Sequence, residues 1–216
     1  MIVNNKVISK VFFWMFIGLL ITFATGFICS KNINALDFIY GANMNYIILI
    51  IIELCLAIFL SARLHKMSPT TAKVSYVLYT FFSGLTFSSI FVIYKLESIL
   101  WIFLIAAMLF LLFAIIGHLT KIDLTKFGTM LAMLLLGVIV CMLINMFVGN
   151  EKFDLVITIV SIVVFLGYIA YDIQTIKKLD GYLPEDNLAI YGAFQLYLDF
   201  INIFIELLKI FGKDND

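Results

Sequence analysis

Residues 188–211 read LAIYGAFQLYLDFINIFIELLKIF. The stretch is long enough to cross a bilayer as a helix, which takes about 20 mostly apolar residues. Yet it carries Gln195, Asp199, Asn202 and Glu206. At 100° per residue, with Asp199 at zero, Gln195 falls at about −40°, Asn202 at about −60° and Glu206 at about −20°. All four share one narrow stripe. An ionisable group at mid-helix costs roughly 2.5–3.5 kcal/mol to insert, so such groups usually face a protein interior. The stripe therefore places this helix at the centre of a bundle. The competing reading is an amphipathic helix lying on the membrane surface, with Lys209 and Lys213 at the headgroups.

The rest of the chain supplies the bundle. Six further apolar runs precede this one, at about 9–29, 44–62, 74–94, 98–117, 127–149 and 154–176, each near the length of a span. The breaks between them are short and polar, and none holds a second domain. The expected fold is all-α: a polytopic membrane protein with one transmembrane domain over 1–216. Its seventh helix is central among the other six. Composition agrees. Hydrophobic residues make up 64% and charged residues 13% of the 216, where a soluble domain has about 25% charged. Mean hydropathy is +1.13. The first run is too long for a signal-peptide core and no small-x-small site follows, so it reads as a retained helix.

Basic residues near helix ends set orientation. With the N-terminus inside, the inner segments hold Lys6, Lys10, Arg63, Lys66, Lys73, Lys121, Lys126, Lys177 and Lys178. The outer ones hold Lys31, Lys95, Lys152, Lys209 and Lys213. The excess favours a cytoplasmic N-terminus. A re-entrant seventh segment would move Lys209 and Lys213 inside and strengthen the same bias, so the charge rule leaves that segment open.

Other ionisable residues sit inside spans. The sixth run has Asp172, with Thr158, Ser161, Tyr168 and Thr175 on the same helical face. The second has Glu53, with Arg63 about 15 Å further along the helix. Acids within the membrane suit a hydrated cation route, because hard cations such as Ca²⁺ take carboxylate oxygens. Two buried carboxyls close together share a proton, since both cannot ionise cheaply in a low dielectric.

Two segments carry a resemblance. The sixth contains Gly167-Tyr168-Ile169-Ala170-Tyr171-Asp172-Ile173-Gln174 and the seventh Leu196-Tyr197-Leu198-Asp199-Phe200-Ile201-Asn202. As a pair, with seven spans around them, they resemble the signature of the Bax inhibitor family, prokaryotic branch. The resemblance implies a pH-sensitive calcium leak channel with six helices around a central seventh. It implies that Asp172 and Asp199 form the pH-sensing pair and contact calcium, and that Arg63 is the latch on that pair. Glu53 matches a second-helix glutamate. Gln195, Asn202 and Glu206 are expected to line the route with it. The heavier Phe200, Ile203 and Phe204 depart from the usual pattern.

The alternative is a non-transporting regulator that binds a membrane-protein partner such as a protease. An enzyme is not expected. The two histidines, His65 and His118, lie at helix ends, and no HExxH or Gly-rich phosphate loop is present. No cofactor is expected beyond calcium as a permeant or bound ion. The expected partners are the lipid bilayer and calcium ions. Nothing basic or Arg-rich suggests nucleic acid. Cys29, Cys55 and Cys141 share no metal or redox spacing and read as small core hydrophobes. Short termini and Ile/Asn/Lys-heavy usage point to a bacterial inner membrane.

One geometric difficulty remains. Asp172 lies near the end of its helix, whereas Asp199 lies deep in the next. A direct contact needs the seventh helix to start late or the loop before it to dip.

Overall fold

The computed structural model describes residues 5–215, with the side chains of all but Asn5, Asn43 and His65. They form eight α-helices: α1 Asn5–Ser30, α2 Ile33–Tyr40, α3 Asn43–Arg63, α4 Pro69–Ile93, α5 Leu96–Leu119, α6 Gly128–Val148, α7 Glu151–Leu179 and α8 Glu185–Phe211. Short 3₁₀ turns at Leu64–Lys66 and Leu124–Phe127 join some of them. All but α2 are long and apolar enough to cross a membrane. The chain is an integral membrane protein of the all-α, polytopic class. The seven apolar runs correspond to these seven helices to within little more than a turn.

Helix ends follow local chemistry. Ser68 caps α4 by accepting from the Thr71 N–H, and Pro69 opens the helix, where its missing N–H costs nothing. Gly149 ends α6 in the left-handed conformation at φ 67°, which a side chain would strain. The short polar break after α1 holds a further helix, α2, capped by Asn32. Eight residues of mixed character are too short to register as a span.

The chain gathers into two compact units. One comprises Met1–Leu96, Leu179–Tyr197 and Asp214–Asp216, as far as these are described; the other comprises Glu97–Lys178 and Leu198–Lys213. Helix α8 runs unbroken through both.

In the first unit, α1 and α4 pack closely because Gly84 has no side chain. A Cβ there would lie 2.8 Å from the Thr22 carbonyl oxygen and 2.6 Å from Thr25 Cβ. Close backbone approach through small residues is how membrane helices associate. Residues at the start of α8 and beyond its end bond to the two ends of α4. At one end, Lys73 pairs with Asp186 at 2.6 Å, and Asn187 Nδ2 donates to the Met67 carbonyl just before α4. At the other, Asn215 Nδ2 donates to the Val92 and Tyr94 carbonyls. The last segment is one unbroken helix, long and apolar enough to cross a membrane. It is also the most sheltered span: 72% of its apolar stretch is buried, against at most 44% in any other. That excludes a helix lying on the surface.

In the second unit, Gly117 lets α5 approach α7, since a Cβ there would sit 2.5 Å from the Ala170 carbonyl oxygen. Val138 of α6 packs with Ile157 and Val164 of α7. Outward faces are apolar, for example Phe147, Met146 and Leu136, as expected where the surrounding solvent is lipid.

Candidate functional site

The site lies in the second unit, where α7 and α8 bring two carboxyls together. The side chains of Asp172 and Asp199 lie within hydrogen-bonding reach of each other. Their exposures are 3% and 5%, so water reaches neither freely. Asp199 Oδ2 receives no hydrogen bond from any N–H or hydroxyl among the described residues. Phe200 adjoins Asp199 in α8 and meets Phe103 and Phe110 of α5 at ring distances of 5.1 and 5.9 Å. This apolar wall keeps the local dielectric low, which makes a second negative charge beside the first costly.

The depth difficulty is met without a late start. Helix α8 begins at Glu185, earlier than the apolar run suggested, so the contact is made without the late start that would have eased it.

The other residues of the expected site are placed as follows. Glu206 is buried on the Asp199 stripe and pairs with Lys209 at 3.0 Å. Asn202 Nδ2 donates to the Leu198 carbonyl of its own helix at 2.7 Å. Gln195 Oε1 is buried and receives no hydrogen bond among the described residues. On the Asp172 face of α7, Thr158 and Ser161 are buried, and Ser161 Oγ likewise has no protein partner. In the first unit, half-buried Glu53 accepts from the Thr86 hydroxyl at 2.7 Å. Arg63 is exposed in the last turn of α3. Among the described residues there is no cluster of three or more His, Cys, Asp and Glu side chains able to hold a metal.

Three features were not read from the sequence. Tyr197 is fully buried, and its hydroxyl lies 2.7 Å from Thr22 Oγ and donates to Ser83 Oγ at 3.0 Å. This ties α8 to α1 and α4 by a polar triad. Gln174 clamps the α5–α6 connection, accepting from the Leu124 N–H at 2.8 Å and donating to the Ile122 carbonyl at 2.9 Å. Beside it, Lys178 pairs with Asp123. The Lys178 and Thr125 contacts pull the Asp123 carboxyl down to about 2, because both favour its charged form. Third, Lys10 and Lys73, counted only for topology, both pair with Asp186. At the opposite end of α4, burial and then nearby Asp214 raise the Tyr94 phenol.

The tyrosine-aspartate-x-glutamine segment thus does two jobs: Asp172 meets its partner and Gln174 holds the loop. The match to known proteins is as extensive as this arrangement suggests. A family model described as inhibitor of apoptosis-promoting Bax1 matches residues 4–216. The chain belongs to the Bax inhibitor-1 family. An uncharacterized protein of Borreliella burgdorferi is 38% identical over 217 residues, covering 98% of this chain and 94% of the relative. The inner membrane protein YbhL of Escherichia coli is 36% identical over 211 residues, covering 95% and 90%. A Deinococcus radiodurans protein is 32% identical over 212 residues, covering 96% and 90%. In this Bax inhibitor family member the aspartate pair is the feature with the most chemistry to explain.

Proposed function

We propose that this Bax inhibitor family member is a proton-regulated cation leak, with Ca²⁺ the leading ion, in a bacterial inner membrane. The observation that carries the reading is the buried contact between Asp172 and Asp199. Two carboxyls so placed share one proton, and their joint titration changes the charge facing any cation in the interior. Ser161 Oγ, buried with no hydrogen-bond partner among the described residues, supports a wettable interior, because buried polar groups find their hydrogen bonds in protein or in ordered water.

In this reading Arg63 is the latch that closes the inner mouth against the ionised pair. Acid neutralises the pair, weakens the latch and raises flux. Glu53, Gln195, Asn202 and Glu206 offer oxygens along the way. Two carboxyls suit transient contact with calcium better than storage, since bound Ca²⁺ takes about 6–8 oxygens. The name of the Escherichia coli relative supports the inner membrane, and the lysine distribution supports a cytoplasmic N-terminus. No enzymatic chemistry and no cofactor enter the proposal.

The test is Ca²⁺ flux in proteoliposomes between about pH 6 and pH 8. The wild type is expected to leak more on acidification, and Asp172→Asn and Asp199→Asn to flatten that response. Unchanged flux and pH profile in both variants would reject the pair as sensor.

A second reading is a non-transporting regulator of another membrane protein, such as a protease. It is favoured by how far the α8 stripe satisfies itself: Asn202 is held by Leu198 and Glu206 by Lys209. A stoichiometric partner recovered from membranes, together with no flux from purified protein, would favour it.

A further inference from the structure

A cavity of about 340 Å³ opens in the first unit beneath α2. Cys29 of α1, Ile39 of α2, Leu49 and Ile52 of α3 and Phe82 of α4 line it. The one polar side chain among its lining residues, Asn45, already spends its Nδ2 on the Phe38 carbonyl at 2.6 Å. A polar ligand would find almost nothing to bond. The volume lies in the range of ligand pockets, roughly 300–1,000 Å³.

Helix α2 connects the end of one span to the start of the next, which puts it at the level of the headgroups. It exposes Ile33 and Phe38, the mark of a helix lying in the interface. With such a helix at the interface, the apolar cavity beneath it would face the acyl region. Helix α3, which forms one wall, is the least buried of the seven spans, with only 11% of its apolar stretch covered.

We propose that this cavity seats one acyl chain of a membrane phospholipid, roofed by α2. The chain supplies packing that α3 does not receive from protein. Because α3 also carries Glu53 and Arg63, the seated lipid steadies the helix that bears both. A second apolar groove, about 260 Å³ between α6 and α7 and lined by Leu134, Gly137 and Val156, has no such roof. It serves as the internal comparison.

The test uses the purified full chain in nanodiscs with a phospholipid whose acyl chain bears a terminal photoreactive diazirine. Labelled peptides are mapped by mass spectrometry. Label is expected to concentrate on residues 29–52 over the α6–α7 groove. It should be lost from 29–52 in Ala35→Phe, which fills the cavity, and in Ile48→Trp, which blocks its mouth from a more exposed position. Both variants are to keep wild-type helix content, and Ile48→Trp carries the test if Ala35→Phe does not fold. Even labelling around all spans, or label at 29–52 that survives in a folded variant, overturns the proposal. So does labelling there by a free diazirine fatty acid but not by the phospholipid. The readout involves no ion flux, so it stands or falls apart from the leak.

Discussion

Asp172 and Asp199 meet through their side chains although Asp172 lies near the end of α7 and Asp199 lies mid-way along α8. Seven residues separate Asp172 from Leu179, and fourteen separate Glu185 from Asp199. At 1.5 Å per residue the mismatch is about 10 Å. The contact therefore depends on how the connection and the two helices are held. The structural partners of the pair deserve testing as much as the pair itself.

Tyr197 should matter for stability. Replacing it with Phe keeps the ring packed against Tyr76 and Tyr79 but removes the hydroxyl shared by Thr22 and Ser83. A buried hydroxyl left without its partner costs about 1–3 kcal/mol. Tyr197→Phe should lower the melting temperature of the detergent-purified protein and leave the pH profile of flux in place. An unchanged melting temperature would show that the triad contributes nothing net.

Gln174 should act on the α5–α6 connection. Gln174→Ala removes both hydrogen bonds to Ile122 and Leu124, a loss of about 1–3 kcal/mol in local stability. Hydrogen exchange at 120–126 should rise while exchange in the middle of α8 stays slow. Equal protection in wild type and variant would mean that the Lys178–Asp123 pair holds the loop unaided.

Asp123 supplies a pH dependence of known sign. Its carboxyl is held at about 2, below the ordinary 3.8, by Lys178 and Thr125. The unfolded chain therefore binds this proton first as pH falls. The stabilisation is present above about pH 4 and is lost as pH approaches 2. Asp123→Asn should lose that stabilisation near neutrality and flatten the acid limb, so that the wild-type and variant unfolding curves converge as pH approaches 2. A flux response between about pH 6 and pH 8 that disappears in Asp123→Asn would place the sensor at this loop instead of in the bundle.

Much of this was legible in the chain, and the reasons differ by residue. The seven spans were legible because burial in lipid demands long apolar runs, which nothing else in the sequence imitates. The α8 stripe was legible because period 3.6 turns four scattered polar residues into one face. The meeting of Asp172 and Asp199 came from the family resemblance, and the helix arithmetic argued against it. Tyr197 was invisible because an aromatic in a span reads as packing, and its partners Thr22 and Ser83 lie 175 and 114 positions away. Gln174 was quoted as part of a motif, yet its partners come from a loop about fifty residues earlier. Helix α2, at eight residues, was too short for any periodicity to show.

The most direct measurement is the infrared carbonyl stretch of a protonated carboxyl in the purified protein at neutral pH. If Asp172 and Asp199 share a proton inside the bundle, the wild type shows this band and the double variant Asp172→Asn/Asp199→Asn lacks it. A wild-type spectrum with no component removed by the double substitution would contradict the shared proton and with it the proposed sensor.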